Sequence, residues 1–217
     1  MAKKIKYLLL ASVFLTSMNS EAHPVIFKGG TVLYTENSMD MNEYHLAYTF
    51  HPQFAAGLHY IKEGPVELQF AQGAWLVKRW LNQHENGQDS QANIYILGGV
   101  GAERFNNSWT NAEHVDVMAD WEDRQFYVLG MQRHVWRHSN AEDPNKVNLW
   151  HSRVRLGFAP YPSETTELGV WFIAQFDKHN EKNWMTTNLL RFYYRNVLWE
   201  VGASLNGGYQ LNFMVHL

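Results

Sequence analysis

The chain has 217 residues, a formal charge of −3 and no cysteine. The acidic balance argues against a nucleic-acid partner, which requires clustered basic charge, and the absence of cysteine excludes a lipoprotein acylated on an N-terminal thiol. There are 12 Phe, 11 Tyr and 9 Trp, yet the mean hydropathy is only −0.38. This combination is typical of a β-barrel whose strands show alternate faces to lipid and to the lumen.

The first 22 residues have the pattern of a secretory signal peptide. Three lysines within the first six residues precede an apolar run over 7–15, and Ser20 and Ala22 provide the small residues expected before a cleavage site at His23. The apolar run is much shorter than the roughly 20 residues that a membrane-spanning helix needs. We therefore predict a signal peptide over 1–22 and a barrel domain over 23–217; an uncleaved anchor or a buried helix is the alternative.

The remaining chain alternates apolar and polar residues in segments of about ten residues separated by turn-rich breaks, as membrane strands do. The alternation is clearest over 114–121 and over the last nine residues, and it recurs over 43–51. A helix would instead repeat with a period of 3.6 residues. Twelve such segments start near Val25, Glu43, Phe54, Val66, Ala92, His114, Gln125, Val147, Thr166, Trp184, Leu198 and Gly208.

The predicted fold is therefore all-β: a closed antiparallel transmembrane β-barrel of about 12 strands, with ten or fourteen as the alternatives. An even number places both termini at the same side of the membrane. Short connections are expected at that side and longer polar loops at the other, over 105–113, 139–146 and 178–183. The connection over 82–91 is long where a short one is expected, and the Asn206-Gly207 hairpin is short where a loop is expected.

The last segment has apolar or aromatic residues at every second position and ends on one. It resembles the terminal strand that the assembly machinery recognises in bacterial outer-membrane β-barrel proteins. The resemblance implies location in the outer membrane, contact with its lipid and binding to the barrel-assembly machinery. The signal would consist of Tyr209, Leu211, Phe213, Val215 and Leu217.

A soluble periplasmic β-barrel or β-sandwich remains the alternative fold, because its strands also alternate. In such a protein the apolar faces would form the core. Aromatic residues near the strand ends favour the membrane, since their amphipathic rings concentrate at the two membrane interfaces.

The polar faces should line the lumen, and they are rich in histidine and in charged residues. The candidates are His45, His51, His59, Glu67, His114, Asp116, Asp120, His134, His151, Arg153, Arg155, Asp177, Glu200 and His216. Two interpretations fit such a lumen: a narrow pore with a charged selectivity screen, or a closed structural barrel that presents loops outside. Tyr95, Trp171 and Tyr193 are expected to narrow the interior further.

A second hypothesis is the binding or passage of a transition-metal ion such as copper, for which imidazole and thioether groups are suitable ligands. The candidate ligands are His59, His114, Met118, His134 and His151. Pairing of His with Asp inside a barrel without any metal explains the same residues, and no close spacing such as H-E-x-x-H is present. The sequence establishes no cofactor.

A third hypothesis is an outer-membrane hydrolase. Its nucleophile and base would have to share one face, whereas His151 and Ser152 are neighbours on a strand and point to opposite faces. An Asp–His pair of a barrel protease at His114 and Asp116 stays open as an alternative, but no residue is assigned as catalytic.

Overall fold

The computed structural model describes residues 23–82, 89–138, 148–164 and 166–217. The predicted signal peptide lies outside these residues. Within them the chain forms twelve strands, β1 to β12. Their bounds are Thr31–Ser38, Met41–His51, Phe54–Glu63, Val66–Asn82, Ser90–Phe105, Ser108–Glu122, Phe126–Arg137, Leu149–Phe158, Gly169–His179, Met185–Tyr194, Val197–Ser204 and Tyr209–His216.

The twelve strands form one closed antiparallel barrel. Each strand pairs with its neighbours in the sequence, and β1 pairs with β12 through a register that includes Val32 opposite His216. The predicted closed barrel of twelve strands is confirmed. We call the end where β1 begins and β12 finishes the terminal end, and the opposite end the far end. Among the described residues, no helix is long and apolar enough to cross a membrane.

The outer face of the barrel is apolar, as the alternation predicts. On β12, Tyr209, Leu211 and Phe213 are exposed while Gln210 and Asn212 are buried inside the barrel. The same alternation holds on β2 and β6. Exposed outward residues there are Tyr44, Leu46, Tyr48, Phe50, Val115, Val117 and Trp121. Their exposure follows from the two-residue period of a strand, which sends every second side chain outward.

The first strand starts at Thr31, so the predicted start of this strand near Val25 is wrong. Val25 and Ile26 are instead buried in an apolar cluster inside the terminal end, together with Val32 of β1 and Met214 of β12. Apolar residues before the first strand therefore close the lumen instead of facing lipid.

The predicted long loop over 105–113 is also wrong, because β5 and β6 are joined by the two-residue turn Asn106-Asn107. Both Asn residues have positive φ, 48° and 65°, as in the primed turns that suit twisted hairpins. Asn adopts this left-handed backbone region more readily than most residues. As a result β6 begins at Ser108 and not near His114.

Candidate functional site: an ion-paired lumen

The middle of the lumen is crossed by two arginine–carboxylate pairs. The first joins Arg133 of β7 to Glu43 of β2, with Nη2–Oε1 2.8 Å and Nη1–Oε2 3.2 Å. Five strand positions separate β7 from β2 in a barrel of twelve, so this pair spans the lumen. The Nε–H of Arg133 also donates to Asp116 Oδ2 at 2.9 Å. All three side chains are buried.

The second pair joins Arg153 of β8 to Glu36 of β1, again with two hydrogen bonds, Nη1–Oε2 2.7 Å and Nη2–Oε1 2.6 Å. These strands are also five positions apart around the barrel. The Nε–H of Arg153 donates to Asp177 Oδ1 at 2.7 Å. Paired N–H···O bonds fix the geometry of both partners, so each pair acts as a strut across the lumen.

A third charged group lies towards the terminal end. Glu200 accepts hydrogen bonds from Arg155 at 2.5 Å, from Arg191 at 2.7 Å and from the amide of Asn212 at 2.5 Å. Arg191 also packs against the ring of Tyr127, 4.6 Å from its centroid. One carboxylate thus pairs with two buried guanidinium groups.

Three histidines lie beside the first strut. His59 Nε2 is 2.8 Å from Glu43 Oε1, and His114 Nδ1 is 3.0 Å from Asp116 Oδ1. His45 is partly buried, and its ring centroid is 5.5 Å from that of His59. The backbone of Gly99 leaves room for the His114 ring, because a Cβ at this position would lie only 2.5 Å from Nε2. His59 and His114 thus hydrogen-bond to carboxylates that Arg133 already binds.

Apolar clusters pack inside the lumen on both sides of the first strut. Six residues form the cluster at the far end: Met41, Ile61, Leu68, Phe70, Ala112 and Val135. Two clusters lie towards the terminal end, one around Tyr95 and Val25 and one around Trp171 and Tyr127. The prediction that Tyr95 and Trp171 narrow the interior agrees with their burial, and Tyr193 packs against the Tyr95 cluster.

The terminal end also contains a buried cation. His23 lies 3.4 Å from Asp120 Oδ2 and 3.6 Å from Glu122 Oε1. Burial alone would lower the pKa of His23, but the two carboxylates outweigh it and raise the pKa from 6.5 to about 10. The imidazolium therefore anchors the segment that precedes β1.

We expect His23→Gln to change how stability depends on pH. The pKa of His23 is higher in the folded state than in the unfolded state. Protonated His23 therefore stabilises the fold fully below pH 6.5, and this stabilisation is lost as the pH rises towards about 10. The midpoint temperature of thermal unfolding in detergent should therefore fall more across this pH range for the wild type than for His23→Gln. The control is His51→Gln, an exposed histidine at the same end; parallel pH profiles for wild type and His23→Gln would contradict the assignment.

The structure places eleven of the fourteen lumen candidates on the inner side of the barrel. Ten are buried: His59, His114, Asp116, Asp120, His151, Arg153, Arg155, Asp177, Glu200 and His216. His45 is partly buried and hydrogen-bonds to Gln72, also within the lumen. Met118 is partly buried and packs against two of the apolar clusters.

Three candidates lie outside the lumen, which corrects their predicted placement. His51 is exposed because the register of β2 shifts between Thr49 and His51. Glu67 lies on the outer face at the far rim, 3.3 Å from Lys62 and 3.6 Å from Arg104.

The third candidate outside the lumen is His134. It stacks on the outer face, and its ring centroid lies 4.3 Å from that of Trp136 and 3.8 Å from that of Trp150.

The five predicted metal ligands do not form one group. His59 and His114 are neighbours, with ring centroids 5.3 Å apart, whereas His151 contacts Asp177 and His179.

Four residues of the lumen are not among those predicted from the sequence: Arg133, Arg191, Glu36 and His179. Arg133 was missed because His134 was predicted to face the lumen. Neighbouring residues on a strand face opposite sides, so Arg133 was assigned to the outer face. Glu36 was missed because β1 was placed too early in the chain. The signal that identifies all four is a charged or imidazole group on an inward position once the strand bounds are known.

No family model matches the chain, and no curated protein does. Solved structures are similar in outline. The KdgM porin in complex with disordered oligogalacturonate is 10% identical with a TM-score of 0.48, and the match covers 86% of this chain and 97% of that one. Pseudomonas aeruginosa OccK3 (OpdO) is 10% identical with a TM-score of 0.40, over 88% and 66%. A loop-deletion mutant of OmpT, an outer membrane protein of Vibrio cholerae, is 8% identical with a TM-score of 0.31, over 86% and 97%.

Proposed function

We propose that the protein is an outer-membrane β-barrel that is closed to solutes and presents its far-end connections outside the cell. The apolar outer face and the closed ring of strands support insertion into a bilayer, since a closed barrel leaves no unpaired strand edge in lipid. The observation that carries the closed state is the pair of struts, Arg133–Glu43 and Arg153–Glu36, each joining strands on opposite sides of the lumen.

Energetics favour the closed state. Passage of a solute through the middle of the lumen would require at least one strut to separate. An unpaired charge in a buried site costs about 3–5 kcal/mol, which corresponds to an open population below about one per cent. The apolar clusters on both sides of the first strut add a further barrier to ions, because they offer few groups to replace lost hydration.

We expect the wild-type protein to be recovered from the outer-membrane fraction and to produce no discrete openings in planar lipid bilayers. The same preparation should shift in gel mobility on boiling, which shows that the barrel is folded before it is recorded. Frequent ohmic steps from folded wild-type protein would overturn the closed state and favour the narrow pore. Recovery as a soluble protein without detergent would overturn the membrane location.

A further inference from the structure

A second group of ligand-type side chains lies near the far mouth of the barrel, apart from the histidines around the first strut. His151, Asp177 and His179 each place a donor atom within 4.8 Å of the other two. The rings of His151 and His179 are stacked with centroids 4.0 Å apart, and His151 Nε2 lies 2.8 Å from Asp177 Oδ1. Neutral imidazoles and carboxylates are common ligands of Zn²⁺ and similar ions.

The spacing is close to what a metal centre requires. Ligand atoms bound at about 2.0–2.2 Å around a tetrahedral ion lie roughly 3.3–3.6 Å from one another. Small side-chain rotations therefore bring the three donors together. Glu63 is placed to provide a fourth ligand, since its Oε1 lies 3.6 Å from His179 Nδ1.

The group borders a cavity that is reached from the far mouth. The cavity has a volume of about 60 Å³, whereas one water needs about 10–15 Å³, so an ion with its remaining water fits. Four carboxylates line the cavity: Glu36, Asp40, Glu63 and Asp177. They outnumber the two formal cations there, Arg153 and Lys182, and this balance attracts a divalent cation.

Asp177 already accepts hydrogen bonds, but these do not occupy all the lone pairs with which it could bind a metal ion. Arg153 and Gln175 donate to its two oxygens at 2.7 Å and 2.6 Å, and a carboxylate has about four lone-pair sites. The charge of Arg153 is in turn matched by Glu36. Within the described residues, the buried Nδ1 of His151 has no hydrogen-bond partner, so this imidazole retains an unused donor or acceptor.

We propose that His151, Asp177 and His179 form a binding site for one divalent transition-metal ion at the far mouth. The site lies in the far part of the lumen beside the second strut, and binding does not depend on whether the barrel conducts. His179 is the best residue to test, because it is only partly buried while His151 and Asp177 belong to the buried network.

The test is calorimetric titration of the folded, detergent-solubilised protein with Zn²⁺. We expect one ion per chain for the wild type and an affinity lower by about tenfold or more for His179→Ala. His138→Ala is the matched control, an exposed histidine at the same end, and should bind as the wild type does. Absence of saturable binding by the wild type, or an equal loss in the control, would overturn the proposal.

A spectroscopic measurement keeps the test decisive if His179→Ala folds poorly. Co²⁺ bound to wild-type protein should give visible absorption bands that Zn²⁺ displaces, and Glu63→Gln should keep the binding but alter these bands. Bands identical to those of Co²⁺ in buffer would show that the imidazoles do not bind it.

Discussion

Removing the strut between Arg153 and Glu36 should convert a silent barrel into a conducting one. The cavity at the far mouth already reaches both side chains, so replacing them with alanine extends it past the second strut. Asp177 loses Arg153 in this variant but keeps its hydrogen bonds to His151 and Gln175. We expect Arg153→Ala/Glu36→Ala to show discrete conductance steps in planar bilayers under conditions in which the wild type shows none.

The open state should also select cations. After the double substitution, Asp40, Glu63 and Asp177 remain around the cavity with Lys182 as the formal cation among its lining residues, and rings of carboxylates favour cation passage. A reversal potential in a salt gradient measures this preference. Anion preference would show that the current takes another route.

The matched control removes one positive and one negative charge from the outer face. Arg104 and Glu67 form a partly buried pair, 3.6 Å apart, on the outer face at the far rim. Arg104→Ala/Glu67→Ala should remain silent, since neither side chain enters the lumen. If both double variants conduct equally, the struts do not close the barrel.

Prediction from sequence succeeded where one face of a strand is apolar throughout. On β6, Val115 and Val117 face outward, and His114 and Asp116 face the lumen, as the alternation indicated. On β12 the outward Tyr209, Leu211 and Phe213 were assigned in the same way. Lipid contact imposes the same demand on every outward position, and this makes the period visible in a single sequence.

The same rule fails where the lumen is itself apolar. Leu68 and Phe70 face inward within the far-end cluster, so the alternation on β4 assigned Glu67 to the wrong side. On β7 the stacking of His134 between Trp136 and Trp150 places a histidine on the outer face. An imidazole beside interfacial indoles is compatible with a membrane surface, but residue type alone does not reveal it.

The register shift at His51 and the pairing of the struts are determined by contacts between strands. The alternation of residues within one strand does not predict them. Arg153 and Glu36 are 117 residues apart, and they meet because the ring closes between β12 and β1 with a fixed stagger. The sequence could predict that charges line the lumen. Which charges meet is set by the stagger, which a single sequence does not contain.

Glu200→Ala should be among the most destabilising single substitutions in the barrel. It leaves the guanidinium groups of Arg155 and Arg191 buried without their shared carboxylate. Breaking a buried ion pair by removing one partner costs about 3–5 kcal/mol, and here two cations lose the same partner. Urea unfolding of the refolded protein in lipid vesicles should show a loss of this size in the free energy of unfolding.

Two comparisons separate the loss of charge pairing from a general effect of substitution. Glu164→Ala removes an exposed carboxylate that lies 3.0 Å from Arg124, and exposed pairs contribute less than about 1 kcal/mol. Replacing the whole buried group, as Arg155→Met/Arg191→Met/Glu200→Leu, should recover most of the stability, because apolar residues of similar volume avoid the cost of desolvating charge. If the triple variant is no more stable than Glu200→Ala, the loss comes from packing around Glu200 and not from the broken ion pairs.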